Sequence, residues 1–336
     1  MTHEAMLYEK IEKSLVCCNL CAHRCRIKPN ERGICGVREN RGGILTSLVY
    51  GKLVAENVDP IEKKPLFHVY PGSRSYSIAT VGCNFRCVFC QNHDISQMPR
   101  ETGSILGREA TPASIVERAL SSGSKTISYT YTEPTIFFEF AYDVATIAAQ
   151  KGLKNVFVTN GYMTEEAIET IGPYLHAANV DLKSFSDDFY KKRCGARLEP
   201  VLKSLKKMKE LGIWVEVTTL LIPTLNDSDD ELRQIAQFIY SLGAETPWHI
   251  SRFHPRYQIH DIPPTPVASI YRAAEIGKEN GLKYIYSGNI PGQEGEDTTC
   301  SHCGKHLIDR YGFTIEKLNL RGTNCPHCGT PLDGVF

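Results

Sequence analysis

The sequence lacks both a surplus of charge and a long apolar run. Lys plus Arg and Asp plus Glu each number 38 in 336 residues, so the formal net charge is zero. Without a broad positive field, the composition argues against nucleic acid or an anionic membrane as a partner. The longest apolar stretch, residues 136–149, is interrupted by Glu139 and Asp143 and is too short to span a bilayer. Residues 1–15 contain no apolar signal-peptide core, so we expect a cytoplasmic protein without a membrane partner.

Cysteine, in contrast, is abundant. Twelve of the thirteen cysteines fall into three clusters, and only Cys194 stands alone. Because the chain is large and no export signal is evident, a disulfide scaffold is a poor explanation, and clusters with metal-ligand spacing favour bound metals. We expect Cys194 to be a buried structural thiol or a thiol in a pocket.

The central cluster has the most informative spacing. Cys83, Cys87 and Cys90 are separated by three and then two residues. A cluster of four irons normally takes four cysteine thiolates, so a tight set of three suggests one iron without a cysteine ligand. Three buried thiols in a loop are the plainer alternative, and the spacing weighs against it.

The N-terminal cluster supplies four further candidate ligands, with Cys17 as a spare thiol and His23 as an alternative ligand. The four are Cys18, Cys21, Cys25 and Cys35. Gly33 and Gly36 let the backbone turn tightly around a site. Zinc and an auxiliary iron–sulfur cluster both agree with this pattern, and both stay open.

The C-terminal cluster consists of two CxxC pairs separated by about twenty residues, the pattern of a zinc ribbon. Its members are Cys300, Cys303, Cys325 and Cys328. A closed site of four thiolates is normally structural. Because no dense Lys/Arg run surrounds it, we expect a zinc-stapled lid or docking module rather than a nucleic-acid contact.

Between the clusters, short β-rich runs alternate with amphipathic helical segments, which predicts an α/β fold with a parallel sheet. Predicted strands cover residues 75–81, 126–131, 155–159, 179–182, 214–221 and 248–253, and a short edge strand covers 284–286. Thr111 and Pro112 have the signature of a helix N-terminus, and a second helix is expected over 135–150.

Polar residues gather where the predicted strands end. They are the segment 83–90 that carries Cys83, Cys87 and Cys90 (the cysteine loop), Glu133, Thr159, Asn160, Asp181, Lys183 and His254. In β/α barrels the carboxyl ends of the strands form the face that performs chemistry. Each residue also has a plainer explanation: Asn160 with Gly161 is a common turn, Asp181 and Lys183 could be a surface pair, and His254 could cap a loop.

Taken together, residues 75–291 resemble a radical S-adenosylmethionine (SAM) core, a partial barrel of six βα units. The whole chain resembles the radical SAM enzyme of the AmmeMemoRadiSam system, a family related to pyruvate formate-lyase activating enzymes. The resemblance rests on the cysteine loop with its following QN, on both flanking cysteine clusters, and on DPIEKKPL at 59–66, YTYTEP at 129–134, VTNGY at 158–162 and SGNIP at 287–291.

The resemblance implies a fold class and a domain organisation. We expect an α/β protein with a partial (β/α)6 TIM-like radical SAM barrel. An N-terminal Cys-rich region would cover residues 1–74, the radical SAM core 75–292, and a C-terminal zinc-ribbon-like module 293–336.

The resemblance also implies cofactors and their ligands. A [4Fe-4S] cluster would be held by Cys83, Cys87 and Cys90, with the SAM amino and carboxylate groups on its open iron. Glu133 lies where the family has Gly-Gly-Glu and would meet the SAM amino group, although here threonine precedes it and proline follows. The other SAM contacts implied are Thr159 and Asn160 to ribose or amino-acid atoms, Lys183 to the carboxylate, Asp181 to Lys183 or a ribose hydroxyl, and His254 to the nucleoside.

The implied reaction is reductive cleavage of SAM, followed by hydrogen abstraction from an unidentified substrate by the 5′-deoxyadenosyl radical. A reduced ferredoxin or flavodoxin would supply the electron. The substrate could be a small molecule or a protein, with partner proteins from the same system. A glycyl radical enzyme activase is one alternative, weakened because Gln91 follows Cys90 without a ferredoxin-like insert. A non-catalytic zinc-binding interaction protein is another, but it leaves the central cysteine spacing unexplained.

Overall fold

A computed structural model describes residues 3–290 and 295–336. Its N-terminal part contains the short strands β1 (His3–Glu4), β2 (Tyr8–Lys10), β3 (Val16–Cys18), β4 (Arg26–Ile27), β5 (Arg38–Arg41), β6 (Ile44–Ser47) and β7 (Lys52–Leu53). The first six form two small antiparallel sheets, ordered β2-β3-β4 and β1-β6-β5.

An eight-stranded sheet forms the centre of the molecule. It begins with β8 (Ala55–Pro60) and β9 (Arg74–Ala79). The next strand in the chain, β10 (Arg108–Glu109), pairs with β7 instead. The central sheet continues with β11 (Thr126–Tyr129), β12 (Lys154–Thr159), β13 (Ala177–Asp181), β14 (Trp214–Leu221), β15 (Trp248–Arg252) and β16 (Ile285–Gly288).

The strand order of this sheet is β16-β15-β14-β13-β12-β11-β9-β8. Strands β9 and β11 to β16 run parallel, and β8 pairs antiparallel with β9. The prediction of an α/β fold with a parallel sheet is therefore confirmed. The edge strand β8 was not predicted, and it brings residues N-terminal to position 75 into the central sheet.

Helices connect the parallel strands, as parallel pairing requires. They are α1 (His93–Ser96), α2 (Met98–Glu101), α3 (Pro112–Ser121), α4 (Phe138–Gln150), α5 (Glu165–Ile171), α6 (Asp187–Phe189), α7 (Leu198–Glu210), α8 (Asp229–Leu242) and α9 (Val267–Glu279). Thr111 caps α3 through a reciprocal bond with Ser114, as the sequence predicted. None of the helices in the described part of the chain combines the length and apolarity that a bilayer-spanning segment requires.

The structure shortens one predicted strand. Strand β11 ends at Tyr129 rather than at residue 131, because Tyr131 adopts a left-handed backbone conformation with φ of 62°. The predicted helix over 135–150 begins as a 3₁₀ turn, Pro134–Phe137, and continues as α4. The predicted boundary between residues 292 and 293, like Pro291 of the last motif, lies outside the described residues.

The C-terminal part forms a three-stranded antiparallel sheet of β17 (Thr298–Thr299), β18 (His306–Tyr311) and β19 (Thr314–Leu318). Its apolar side chains pack against Phe67, Tyr284 and Tyr286. Because Tyr284 directly precedes β16, this part contacts the amino ends of the parallel strands. The cysteine loop follows the carboxyl end of β9, so the two features lie toward opposite ends of the sheet.

A buried carboxylate organises these amino ends. Glu216 on β14 accepts backbone N–H bonds from Phe67 at 3.0 Å and His68 at 2.9 Å. Its carboxylate also bonds His249 Nε2 at 2.6 Å and Trp214 Nε1 at 3.1 Å. A buried charge requires such partners, since an unpaired one costs several kcal/mol.

We expect Glu216→Ala to lower the free energy of unfolding by about 3 kcal/mol or more, because it leaves several buried donors without an acceptor. Urea unfolding followed by tryptophan fluorescence would measure the change. Glu199→Ala is the matched control, since its carboxylate is 75% exposed beside Lys203, and should change the free energy by less than about 0.5 kcal/mol. Equal losses in both variants would contradict the role given to Glu216.

Candidate active site

Hydrogen-bond donors surround the sulfurs of the cysteine loop. The Phe85 N–H donates to Cys83 Sγ at 3.3 Å, and Asn160 Nδ2 lies 3.8 Å from the same sulfur. The Ser96 hydroxyl lies 3.3 Å from Cys90 Sγ. Hydrogen bonds to sulfur are one of the means by which proteins tune iron–sulfur clusters. These contacts therefore suit thiolates better than they suit inert thiols.

The three thiols of the loop are poorly solvated. Burial, together with the nearby Glu133 carboxylate, raises the pKa of Cys83. A hydrogen bond with the Cys194 thiol and burial raise the pKa of Cys87, and burial raises that of Cys90. A cationic metal displaces protons from such thiols on binding. The chemistry of this donor set therefore fits a metal cluster.

Sulfur spacing separates the C-terminal cysteine set from the other two. The four sulfurs of Cys300, Cys303, Cys325 and Cys328 all lie within 4.8 Å of one another. Two of their separations are 3.6 and 3.7 Å, as expected around one tetrahedral ion. In the described part of the chain, neither the central set nor the N-terminal set is drawn together in this way.

Glu133 joins the ends of two neighbouring strands. Its buried carboxylate accepts the Thr135 N–H at 3.0 Å, the Thr135 hydroxyl at 2.5 Å, the Thr159 hydroxyl at 2.7 Å and the Asn160 N–H at 2.8 Å. Burial raises the pKa of Glu133, and these donors oppose that rise. Three of the four bonds go to Oε1, so Oε2 can accept a further donor.

Asn160 connects the end of β12 to the cysteine loop. Its Nδ2 donates to Asn84 Oδ1 at 2.7 Å, besides its approach to Cys83 Sγ. Gly161 has a φ of 69°, so the predicted turn is also present. The turn and the functional explanation are thus compatible. Thr159 and Asn160 lie beside the cysteine loop, but they already form hydrogen bonds to other residues of the protein.

Lys183 forms an ion pair with Asp181, with Nζ 2.8 Å from Oδ2. The Lys183 side chain is only 14% exposed, so this is not a solvated surface pair. Although burial opposes the charge, Asp181 and Cys87 raise the pKa of Lys183 and keep the ammonium protonated. A charged ammonium therefore lies beside the cysteine loop.

His254 differs from the other predicted site residues. It follows the end of β15 and is exposed to solvent. In the part of the chain that the structure describes, no hydrogen bond joins it to the cysteine loop, Glu133 or Lys183. The structure thus brings together the other predicted residues and leaves His254 at the periphery.

Arg100 on α2 is a residue that the sequence analysis missed. Its guanidinium donates to the carbonyl oxygen of Cys83 at 2.6 Å, of Phe85 at 2.8 Å and of Ile34 at 2.7 Å. It thereby fixes the cysteine loop and ties it to the N-terminal part. No sequence pattern marks this arginine except its nearness to Cys90.

Cys194 was expected to be buried, and it is, but its neighbour was not foreseen. The Cys194 thiol lies beside that of Cys87. The backbone carbonyl oxygen of Cys194 accepts the Arg86 N–H at 2.9 Å, and that of Arg193 accepts the Val88 N–H at 3.0 Å. The segment around Cys194 therefore forms one wall of the cysteine loop.

A second missed group involves the DPIEKKPL segment. Asp59 pairs with Lys64 Nζ at 2.6 Å and with Lys63 Nζ at 2.9 Å, and it accepts the Tyr131 hydroxyl. Burial lowers the pKa of Lys64 to about 8. The Tyr131 carbonyl in turn accepts Asn92 Nδ2 at 2.7 Å. The segment thus supports the loop that places Glu133.

The chain is similar in sequence to known proteins. The sequence model of the radical SAM superfamily matches residues 77–239. An uncharacterized protein of Methanocaldococcus jannaschii is 49% identical over 336 residues, covering 99% of each chain. A pyruvate formate-lyase-activating enzyme from Clostridium pasteurianum is 26% identical over 180 residues, covering 51% of this chain and 71% of that one.

Among solved structures, a radical SAM methyltransferase from Sphaerobacter thermophilus is similar in fold. The TM-score is 0.51 at 17% sequence identity, over 65% of this chain and 67% of that one. At this identity the likeness concerns the fold alone.

We expect Arg100→Met to speed the loss of iron from reconstituted protein to a chelator by about 10-fold or more, because residues that position metal ligands have effects of that size. The measurement is the rate of iron release under anaerobic conditions. Arg118→Met serves as the control, since Arg118 is 44% exposed and bonds Glu56 and Ser114 away from the cysteine loop. Equal release rates in both variants would refute the role of Arg100.

Proposed function

We propose that this chain, an enzyme with a radical SAM domain, reductively cleaves SAM at a [4Fe-4S] cluster held by Cys83, Cys87 and Cys90. The 5′-deoxyadenosyl radical so formed would take a hydrogen atom from a substrate. The observation that carries this proposal is the loop of three poorly solvated thiols, with the Glu133 carboxylate after β11 near Cys83 and the Lys183 ammonium after β13 near Cys87.

Different residues of the chain would bind and orient SAM. The bound cluster supplies the electron that breaks the C–S bond of SAM. Lys183, held by Asp181, would bind the SAM carboxylate, and the free lone pair on Glu133 Oε2 would accept the SAM ammonium. Thr159 and Asn160 would fix the strand end that faces the ribose. His254, at the periphery, would reach the nucleoside from solvent.

The finer identification also belongs to this proposal. We infer a radical SAM enzyme of the AmmeMemoRadiSam system, supported by the DPIEKKPL, YTYTEP and VTNGY motifs and by the flanking cysteine sets. The barrel-like curvature of the sheet, the three domains over 1–74, 75–292 and 293–336, and a cytoplasmic location stay predictions. A reduced ferredoxin or flavodoxin would serve as the electron donor, and proteins of the same system as partners.

The hydrogen donor is proposed only as a class, a small molecule or a protein. Homology with activating enzymes makes a glycyl radical enzyme one candidate, but no feature of residues 3–290 or 295–336 favours it over other donors. The hypothesis of a non-catalytic zinc-binding protein does not agree with membership of an enzyme superfamily. The C-terminal cysteines would instead hold a structural zinc, supported by their sulfur separations of 3.6 and 3.7 Å.

Replacing Cys83, Cys87 and Cys90 together with alanine should abolish 5′-deoxyadenosine formation, because all three proposed ligands of the cluster would be lost. The assay combines reconstituted protein, dithionite and SAM, with chromatographic detection of the product. Cys17→Ala, which removes a thiol bonded to Asn19 and Arg24, should leave product formation intact. Cleavage that survives in the triple variant would refute the proposed function.

Lys183→Met should raise the KM for SAM by about 10-fold or more, since a charge-assisted hydrogen bond contributes about 1.5–3 kcal/mol. Initial rates of SAM cleavage at varied SAM concentration would measure it, with the iron content determined in parallel. Lys191→Met is the control, because Lys191 pairs with Asp187 and is 46% exposed. An unchanged KM at unchanged iron content would exclude Lys183 from SAM binding.

A further inference from the structure

The four N-terminal cysteines face a common cavity. Cys18, Cys21, Cys25 and Cys35 line it together with isoleucine and leucine side chains and with His23, Arg38 and Thr135. Cys17 is not among the lining residues. The cavity therefore brings four possible metal ligands together.

The spacing of these sulfurs argues against a single ion. Around one zinc, four thiolates lie about 2.3 Å from the metal and therefore close together, as in the C-terminal set. In the described residues, no three of the N-terminal sulfurs lie mutually within the 4.8 Å that all four C-terminal sulfurs meet. The same holds for the sulfurs of Cys83, Cys87 and Cys90. Wider spacing suits a cluster, in which each thiolate binds a different iron.

A buried arginine supplies an independent indication of an anionic occupant. Arg38 lines the cavity, and its side chain is only 2% exposed. Its Nη2 bonds the Met6 carbonyl at 2.6 Å and Glu139 Oε1 at 2.8 Å, but its Nε and Nη1 have no hydrogen-bond partner. Buried donors without acceptors are rare in folded proteins. The sulfides and thiolates of a cluster would be acceptors for them.

The cavity adjoins the central cysteine loop. Arg100 donates both to the carbonyl oxygen of Ile34, next to Cys35, and to that of Cys83. A Cβ at Gly82 would lie 2.6 Å from Val37 Cγ1 and 3.2 Å from the Cys35 carbonyl oxygen, and the φ of 104° also favours glycine at this close approach. His23 Nε2 also lies 2.8 Å from the Asn84 carbonyl oxygen. Few covalent and hydrogen bonds therefore separate the two cysteine sets, which favours electron transfer between them.

We propose that Cys18, Cys21, Cys25 and Cys35 bind a second iron–sulfur cluster, of the [4Fe-4S] type with four thiolate ligands, beside the first. One electron from a reduced ferredoxin or flavodoxin would reduce this second cluster. The same electron would then pass to the central cluster, so that the second cluster returns to its oxidised state. Binding of the second cluster is independent of the proposed function, whereas the relay rests on it.

The test uses the full chain, reconstituted anaerobically with iron and sulfide. The wild type should contain about eight irons, and the variant with alanine at 83, 87 and 90 should retain about four irons and four sulfides. Dithionite should give this variant the electron paramagnetic resonance signal of a reduced cluster, and SAM should not alter that signal, because four cysteines leave no iron open. Zinc should amount to about one per chain, from the C-terminal set.

A second variant, with serine at 18, 21, 25 and 35, should retain about four irons and a signal that changes when SAM is added. Cys17→Ser, outside the cavity, should keep about eight irons. The inference is overturned if the variant with alanine at 83, 87 and 90 holds no iron, or holds about two zinc ions and no sulfide. If the variant with alanine at 83, 87 and 90 keeps a cluster but the wild type forms no 5′-deoxyadenosine, the proposed function is overturned instead.

Discussion

The arrangement of the N-terminal and central cysteine sets depends on the hydrogen bonds of Arg100. It reaches the backbone carbonyls of Ile34, Phe85 and Cys83 with one guanidinium, so two distant segments share a single charged donor. Because charge-assisted bonds are stronger than neutral ones, this link limits how far the two segments can separate. The N-terminal part is therefore built into the site and is not an appendage to it.

The parallel register explains which site residues the sequence could predict. Residues that follow parallel strands meet at one edge of the sheet, so Glu133, Asn160 and Lys183 could be placed together from strand predictions alone. The strand over 214–221 has the predicted bounds, and the others shift by a few residues. The three cysteine clusters could likewise be identified from the sequence alone.

The contacts that the sequence could not supply join residues far apart in the chain. Arg100 and Cys194 have no local pattern that reveals their partners, since their contacts depend on how loops pack above the sheet. The same limit applies to Glu133, which was expected to face SAM. A buried carboxylate must be satisfied by donors, and the neighbouring loops provide four of them. Glu133 therefore has a structural task besides the SAM contact that we propose for it.

The C-terminal part stabilises the opposite end of the sheet. Arg310 donates to the Phe67 carbonyl at 2.9 Å and to the Thr298 hydroxyl at 2.7 Å, and the His68 ring lies 2.7 Å from the Tyr286 hydroxyl. These buried contacts extend the Glu216 network and fasten β17 and β18 beneath the parallel strands. In folds of this kind the amino ends of the strands serve stability and the carboxyl ends serve chemistry. The tight C-terminal cysteine set lies with the stabilising network at the amino ends, whereas Arg100 joins the other two sets beside the loop that follows the carboxyl end of β9.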